Sequence, residues 1–146
     1  MQLTRYTDYS LRVLIYLSAL PPMELGHVAD IARGYGISRN HVVKVVHNLG
    51  RLGYIHTQRG RGGGIRLGKA PGKINLGLVV REVENMLNPV NCEAMECPLL
   101  PNCRLYGILC QAVTAYLETL DKYTLADLIS EKAVLNQVKQ LLPQPA

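Results

Sequence analysis

Between Arg5 and Leu20 apolar residues recur at helical spacing, with Leu11, Leu14, Ile15 and Ser18 on one stripe, until Pro21-Pro22 stops the run. A second helix fits Gly26 to Arg33, with Val28, Ala29 and Ala32 directed inward, and Gly34-Tyr35-Gly36 supplies a tight turn. Ser38 is a suitable N-cap, because its hydroxyl can accept a hydrogen bond from an amide that the first helical turn leaves unpaired. The helix after it has a regular stripe, Val42, Val45, Val46 and Leu49, at i, i+3, i+4 and i+7. Asn40, Lys44, His47 and Arg51 form its opposite face, and Gly53 ends it.

Tyr54 to Gln58 and Ile65 to Leu67 read as short strands joined by the glycine-rich, basic segment Arg59-Gly60-Arg61-Gly62-Gly63-Gly64, a hairpin tip. Helix, helix, turn, helix and two-stranded wing is the order of a winged helix-turn-helix. Pro71-Gly72 leads to a further helix over Leu76 to Glu84, then a loop from about Leu87 to Cys103. A long helix fits Arg104 to Lys122; Leu105, Ile108, Leu109, Ala112, Tyr116, Leu120 and the following Tyr123 make it more apolar than one small domain requires, as expected of a dimerisation helix. Thr124 can cap a last short helix through Leu128 and Ile129, and the tail reads as helical to about Leu142. The fold class expected is mainly α with a small β-wing: a winged helix-turn-helix domain over 1–74, a cysteine loop and dimerisation helices over 75–130, and a C-terminal tail over 131–146.

Composition sharpens this outline. The chain is 48% hydrophobic but has neither Phe nor Trp, so its core must be aliphatic with some of its eight tyrosines. The net charge of +5 divides unevenly: residues 1–81 carry +9 and residues 82–146 carry −4. A basic half joined to an acidic half points to nucleic acid on one side and a different task on the other. The first ten residues lack the apolar run of a signal peptide, and the apolar stretch near Val13 to Leu20 falls short of the roughly 20 residues that cross a bilayer. No membrane association and a cytoplasmic location are therefore expected.

In a helix-turn-helix the second helix places its N-terminal residues at base edges in the major groove. Here these are Ser38, Arg39, Asn40 and His41, with Lys44 a turn later. Arg39 suits guanine and Asn40 suits adenine, each through two hydrogen bonds, whereas Ser38 and His41 suit a base or a phosphate. Arg59 and Arg61 lie among glycines that allow close approach to a duplex, where arginine is drawn to phosphates or to the minor groove. The same loop lacks the Lys-Ser/Thr of a nucleotide-binding P-loop.

The acidic half holds the remaining chemistry. Three cysteines fall in one loop as Cys92-x4-Cys97-x5-Cys103. In a reducing compartment such a cluster points to metal or redox chemistry rather than structural disulfides. Three thiolates can hold an iron–sulfur cluster that takes a fourth ligand from elsewhere. Zinc, thiol redox chemistry and inert thiols are the alternatives, although the spacing is not the paired C-x2-C of zinc knuckles or of thioredoxin-like enzymes. Cys110 lies seven residues past Cys103, roughly 10 Å along a helix, and reads as a buried packing residue. Asp8, Glu93 and Glu96 are candidate oxygen ligands; solvated surface is the plainer reading of the two glutamates, and a helix N-terminal acid is the plainer reading of Asp8.

Taken together, Leu3-Thr4 with Thr7-Asp8-Tyr9, Leu11 to Tyr16, Ser38-Arg39-Asn40-His41, Arg59-Gly60 with Gly63-Gly64, Val80-Arg81-Glu82, the three cysteines and Tyr123 to Leu128 resemble the NsrR-type repressors. These are the nitric-oxide-sensing branch of the IscR-like family of winged-helix iron–sulfur regulators. The resemblance covers about residues 1–130, and the tail after Ser130 has no recognised counterpart. It implies a non-enzymatic homodimer that binds an inverted-repeat operator in double-stranded DNA and represses nitric-oxide detoxification genes. It further implies that nitric oxide attacks the cluster and releases the repressor. Cys92, Cys97 and Cys103 match the thiolate ligands, and Asp8 matches an aspartate that in some relatives ligates from the partner subunit. Either a [2Fe–2S] or a [4Fe–4S] cluster satisfies three thiolates and one further ligand. Arg104-Leu105-Tyr106 follows Cys103 where the cluster-biogenesis branch carries a histidine, and no His occurs after His56, which favours the nitric-oxide branch. The alternatives are a related regulator sensing iron, redox or cluster status, and a zinc-stabilised DNA-binding protein without sensing.

Overall fold

The computed structural model describes residues 2–92, 94, 96–99 and 101–143. Its elements run α1 (Arg5–Ser18), α2 (Val28–Tyr35), α3 (Arg39–Arg51), β1 (Ile55–Gln58), β2 (Gly64–Leu67), a short 3-10 turn (Pro71–Lys73), α4 (Leu76–Val83), α5 (Arg104–Leu120), α6 (Leu125–Leu128) and α7 (Lys132–Lys139). The architecture is thus mainly helical with one antiparallel hairpin, in which Ile55 pairs with Leu67 and Gln58 with Gly64.

α1 is the hub. It packs against α3, α4, α6, α7 and β2. A helix surrounded on so many sides must be apolar over most of its circumference. Val13, Leu14, Tyr16 and Leu17 are buried, whereas Leu11, Ile15 and Ser18, on the stripe expected from sequence, are only half-buried. The inward face also carries two fully buried hydroxyls, Thr7 and Ser10. Ser10 donates to the Tyr6 carbonyl at 2.8 Å and Thr7 to the Glu84 carboxylate at 2.7 Å, so neither is left unpaired.

α2 begins two residues later than its pattern predicts, because Gly26 is used in a backbone bridge with Ile65. Its inward face differs from the expected one: Ile31 and Ala32 are buried, Val28 is half-buried and Ala29 faces solvent. Gly36 closes α2 at φ +62°, a left-handed cap, and its amide returns to Ala32 and Arg33. In α3 the expected stripe is the observed one, with Val42, Val45, Val46 and Leu49 all buried.

α4 and α5 are joined at one end. Arg81 grips both oxygens of Asp121 at 2.5 and 2.7 Å, and the Leu76 amide donates to the Tyr123 carbonyl at 3.0 Å. The hydrogen bonds from Arg81 hold the Asp121 carboxyl below its ordinary pKa. Thr124 caps α6 in a reciprocal box with Asp127. Along α5 only Leu117 is buried, while Leu105 and Ile108 are 63% and 52% exposed. The C-terminal segment folds back on the first half: Val138 is buried in α7, and Leu141 and Leu142 pack against the core.

Candidate nucleic-acid interface and thiol centre

The N-terminal turn of α3 is built by its cap. The Ser38 hydroxyl accepts from the His41 amide at 3.4 Å and lies 2.9 Å from His41 Nδ1. The His41 ring also lies 5.9 Å, centroid to centroid, from Tyr9 on α1. Two of the four residues expected at base edges are therefore held in position before any ligand arrives, and Arg39, Asn40 and Lys44 stand exposed beside them.

Beyond α3 the hairpin forms the wing. Gly60 and Gly62 adopt φ of +101° and +78°, which a side chain would resist, and the Gly63 amide returns to the Gly60 carbonyl at 2.9 Å. This turn carries Arg59 and Arg61 outward, both exposed. Ile55 and Ile65 face the core, so the cross-strand pair His56 and Arg66 faces solvent. Arg66 was missed in the sequence reading, although Ile65-Arg66-Leu67 alternation marks it as outward.

The thiols follow α4 in the chain. All four cysteines are free and half-buried, Cys110 included, where full burial was expected. Glu96 takes φ +45° and turns the chain so that the Cys97 amide donates to the Cys92 carbonyl at 3.2 Å. Cys103 occupies the N-cap position of α5 without a side-chain capping bond. Burial first, and then the neighbouring Cys97, Cys103 and Cys110, push the Cys92 thiol above its ordinary pKa. No three His, Cys, Asp or Glu side chains close into a metal cage among the described residues. Glu96 is exposed, as its plainer reading expects, and Glu93 lies outside the described residues.

Asp8 sits on the first turn of α1, half-exposed, with its carboxylate 2.9 Å from Arg12 Nε. The Arg12 guanidinium in turn lies 5.7 Å from the Tyr35 ring centroid. The stem of the cysteine loop is tied to this same helix end by Glu84, which the sequence reading also missed. One carboxylate oxygen of Glu84 accepts from the Thr4 amide (2.9 Å), the Thr4 hydroxyl (3.0 Å) and the Thr7 hydroxyl (2.7 Å). Burial pushes this carboxyl up, but the hydrogen bonds outweigh it and hold its pKa below the ordinary value.

A capped recognition helix, a basic wing and a core that supports both define a winged-helix DNA-binding protein. Residues 3–131 match the model of Rrf2, described as an iron-dependent transcriptional regulator, and the chain belongs to this family. It is 54% identical over 135 residues to the HTH-type transcriptional regulator NsrR of Bacillus subtilis (strain 168), covering 90% of this chain and 92% of the relative. The NsrR of Bacillus licheniformis is 50% identical over 145 residues, covering 97% and 99%. That alignment takes in most of the C-terminal segment, for which the sequence alone offered no recognised counterpart. Among solved structures, CymR, the global cysteine regulator of B. subtilis, superposes with a TM-score of 0.74 at 25% identity, covering 89% of this chain and 97% of that one. IscR of T. potens shares the fold at a TM-score of 0.70 and 21% identity, covering 91% and 90%. The chain is a transcriptional regulator, not an enzyme. No helix among the described residues is long and apolar enough to cross a membrane.

Proposed function

We propose that the chain is a cytoplasmic homodimeric repressor that carries an iron–sulfur cluster, senses nitric oxide and leaves its operator when the cluster is attacked. The observation that carries this reading is the set of three free, half-buried thiols in one loop whose stem Glu84 pins to the helix bearing Asp8. The donor chemistry fits such a cluster: soft thiolates from one segment, with an oxygen ligand available on another. The relatives named NsrR at about half identity over nearly the full chain support the same reading.

In this reading Cys92, Cys97 and Cys103 hold the cluster, and Asp8 of the partner subunit is its fourth ligand. The cluster supplies iron that nitric oxide can bind. The apolar face of α5, with Leu105 and Ile108 exposed, is the surface on which the two copies meet. Asp8 must leave Arg12 to reach across the dimer, and a half-exposed pair of this kind is worth only about 0–1 kcal/mol. The release therefore opposes ligation little. Tyr9, the next residue, packs against His41, so a shift of the first turn of α1 is felt at the base-reading end of α3. Two recognition helices of a dimer must fall about 34–36 Å apart, or a multiple of that, to meet an inverted repeat. Driving occupancy from 99:1 to 1:99 takes about 5.5 kcal/mol of difference in DNA affinity, which loss of that register is to provide.

The test is anaerobic purification with an absorption spectrum, followed by nitric oxide titration while DNA binding is read by fluorescence anisotropy. Visible iron–sulfur bands that bleach in step with release of DNA are expected. A colourless zinc protein, or DNA binding indifferent to nitric oxide, refutes the sensor and leaves the winged-helix regulator.

A further inference from the structure

The base-reading candidates occupy the first turns of α3, yet its polar face runs to the end of the helix. Asn40, Lys44, His47 and Arg51 lie along one exposed face. Three helical arginines elsewhere are paired with acids: Arg12 with Asp8, Arg33 with Asp30 and Arg81 with Asp121. Among the described residues no such ion pair involves Lys44 or Arg51. Arg51 is oriented by a neutral neighbour instead, donating from Nη2 to Asn48 Oδ1 at 3.2 Å, which leaves its charge available.

The surface around these residues is concave on both sides. A hollow of about 440 Å³ lies between α1, α3 and the end of α4, walled by Tyr6, Lys44, His47, Asn48 and Arg51. Its acidic wall residue, Glu82, accepts the Tyr54 hydroxyl at 2.5 Å. A second hollow of about 330 Å³ shares His47 and Arg51 and adds His56 and Thr57 of the wing. His47 and Arg51 are thus a basic ridge between two depressions, one of which continues onto the wing.

Resting on the reading that α3 enters the major groove by its N-terminus, we propose that Lys44, His47 and Arg51 seat the sugar–phosphate backbone flanking the half-site. The dimensions allow a contact outside the groove. Arg39 and Arg51 are twelve residues apart, about 18 Å along the helix. The major groove is about 12 Å wide, so a helix entering by its N-terminus carries its far end over the bordering strand. A phosphodiester is the matching ligand, because it offers an anion with no sequence information to a cationic ridge with no rigid base-reading geometry.

The experiment measures anisotropy affinities of wild type, Arg51→Gln and Arg39→Ala between about 50 and 200 mM salt. The probes are an operator selected from a random pool by wild type and a duplex of unrelated sequence. Arg51→Gln is expected to weaken both by about fivefold and to reduce the salt slope by about 1, with the operator preference unchanged. Arg39→Ala is expected to lose preference instead. Phosphate-ethylation interference on wild type, which needs no variant, is expected to mark backbone positions outside the bases that matter. Unchanged affinity and slope for Arg51→Gln, or no flanking interference, overturns the backbone seat while the base-reading end stands. Failure of wild type to bind any duplex overturns both.

Discussion

Replacing Thr7 with valine removes one hydroxyl from a site where nothing can take its place. Thr7 is fully buried and donates at 2.7 Å to Glu84, itself only 8% exposed. Valine nearly preserves shape, so the cost is chiefly that of one hydrogen bond to a charged acceptor, about 1.5–3 kcal/mol. Glu84 keeps the two donors of Thr4 and a backbone donor at Met86, which places the loss near the middle of that range, about 2 kcal/mol. For a chain of this size that lowers Tm by about 4–8 °C. The assay is far-UV circular dichroism melting at fixed protein concentration, which keeps the comparison valid for a protein that self-associates. The effect must also depend on pH with a defined sign. The folded-state pKa of Glu84 lies below its ordinary value, so its carboxylate stabilises the fold fully above the ordinary glutamate pKa of about 4.3. That contribution is lost as pH falls through the lower, folded value. The gap between wild type and Thr7→Val should accordingly be widest at neutral pH and narrow in acid. A variant that melts with wild type at neutral pH, or a gap indifferent to pH, refutes the idea that Glu84 pins the cysteine-loop stem to α1.

Cys97→Ala should lose visible absorption and iron while retaining the far-UV spectrum of the helical core, because Cys97 sits in the loop and not among the buried residues; a full iron complement in the variant sinks its assignment as a ligand. Leu117→Ala should cost about 2–3 kcal/mol in denaturant melts, since Leu117 is the buried residue of α5, and a change under about 0.5 kcal/mol would show that α5 is not held there. Leu105→Ser with Ile108→Ser should leave helix content intact and shift sedimentation towards monomer, and a dimer as tight as wild type would place the subunit interface elsewhere.

Much of the DNA-binding half was legible from residues alone. The α3 stripe, the Ser38 cap, the wing turn and the Thr124 cap are near-neighbour features. Helical period, a hydroxyl one turn from an unpaired amide, and glycine at positive φ act over three or four residues, so the order of residues decides them. The Cys92, Cys97 and Cys103 constellation was visible for the same reason, as three thiols on one short loop. Other features depended on partners far along the chain. α1 has apolar residues on several faces, and the packing of five other elements chose which went deepest and admitted Thr7 and Ser10 among them. The Gly26 bridge to Ile65 delayed α2, and the packed fold put Ile31 rather than Ala29 in the core. Glu84 meets Thr7 across 77 residues, and Arg81 meets Asp121 across 40. No periodicity encodes such pairings. They exist because a buried or tethered charge requires a donor or acceptor, and only the assembled fold brings one within reach.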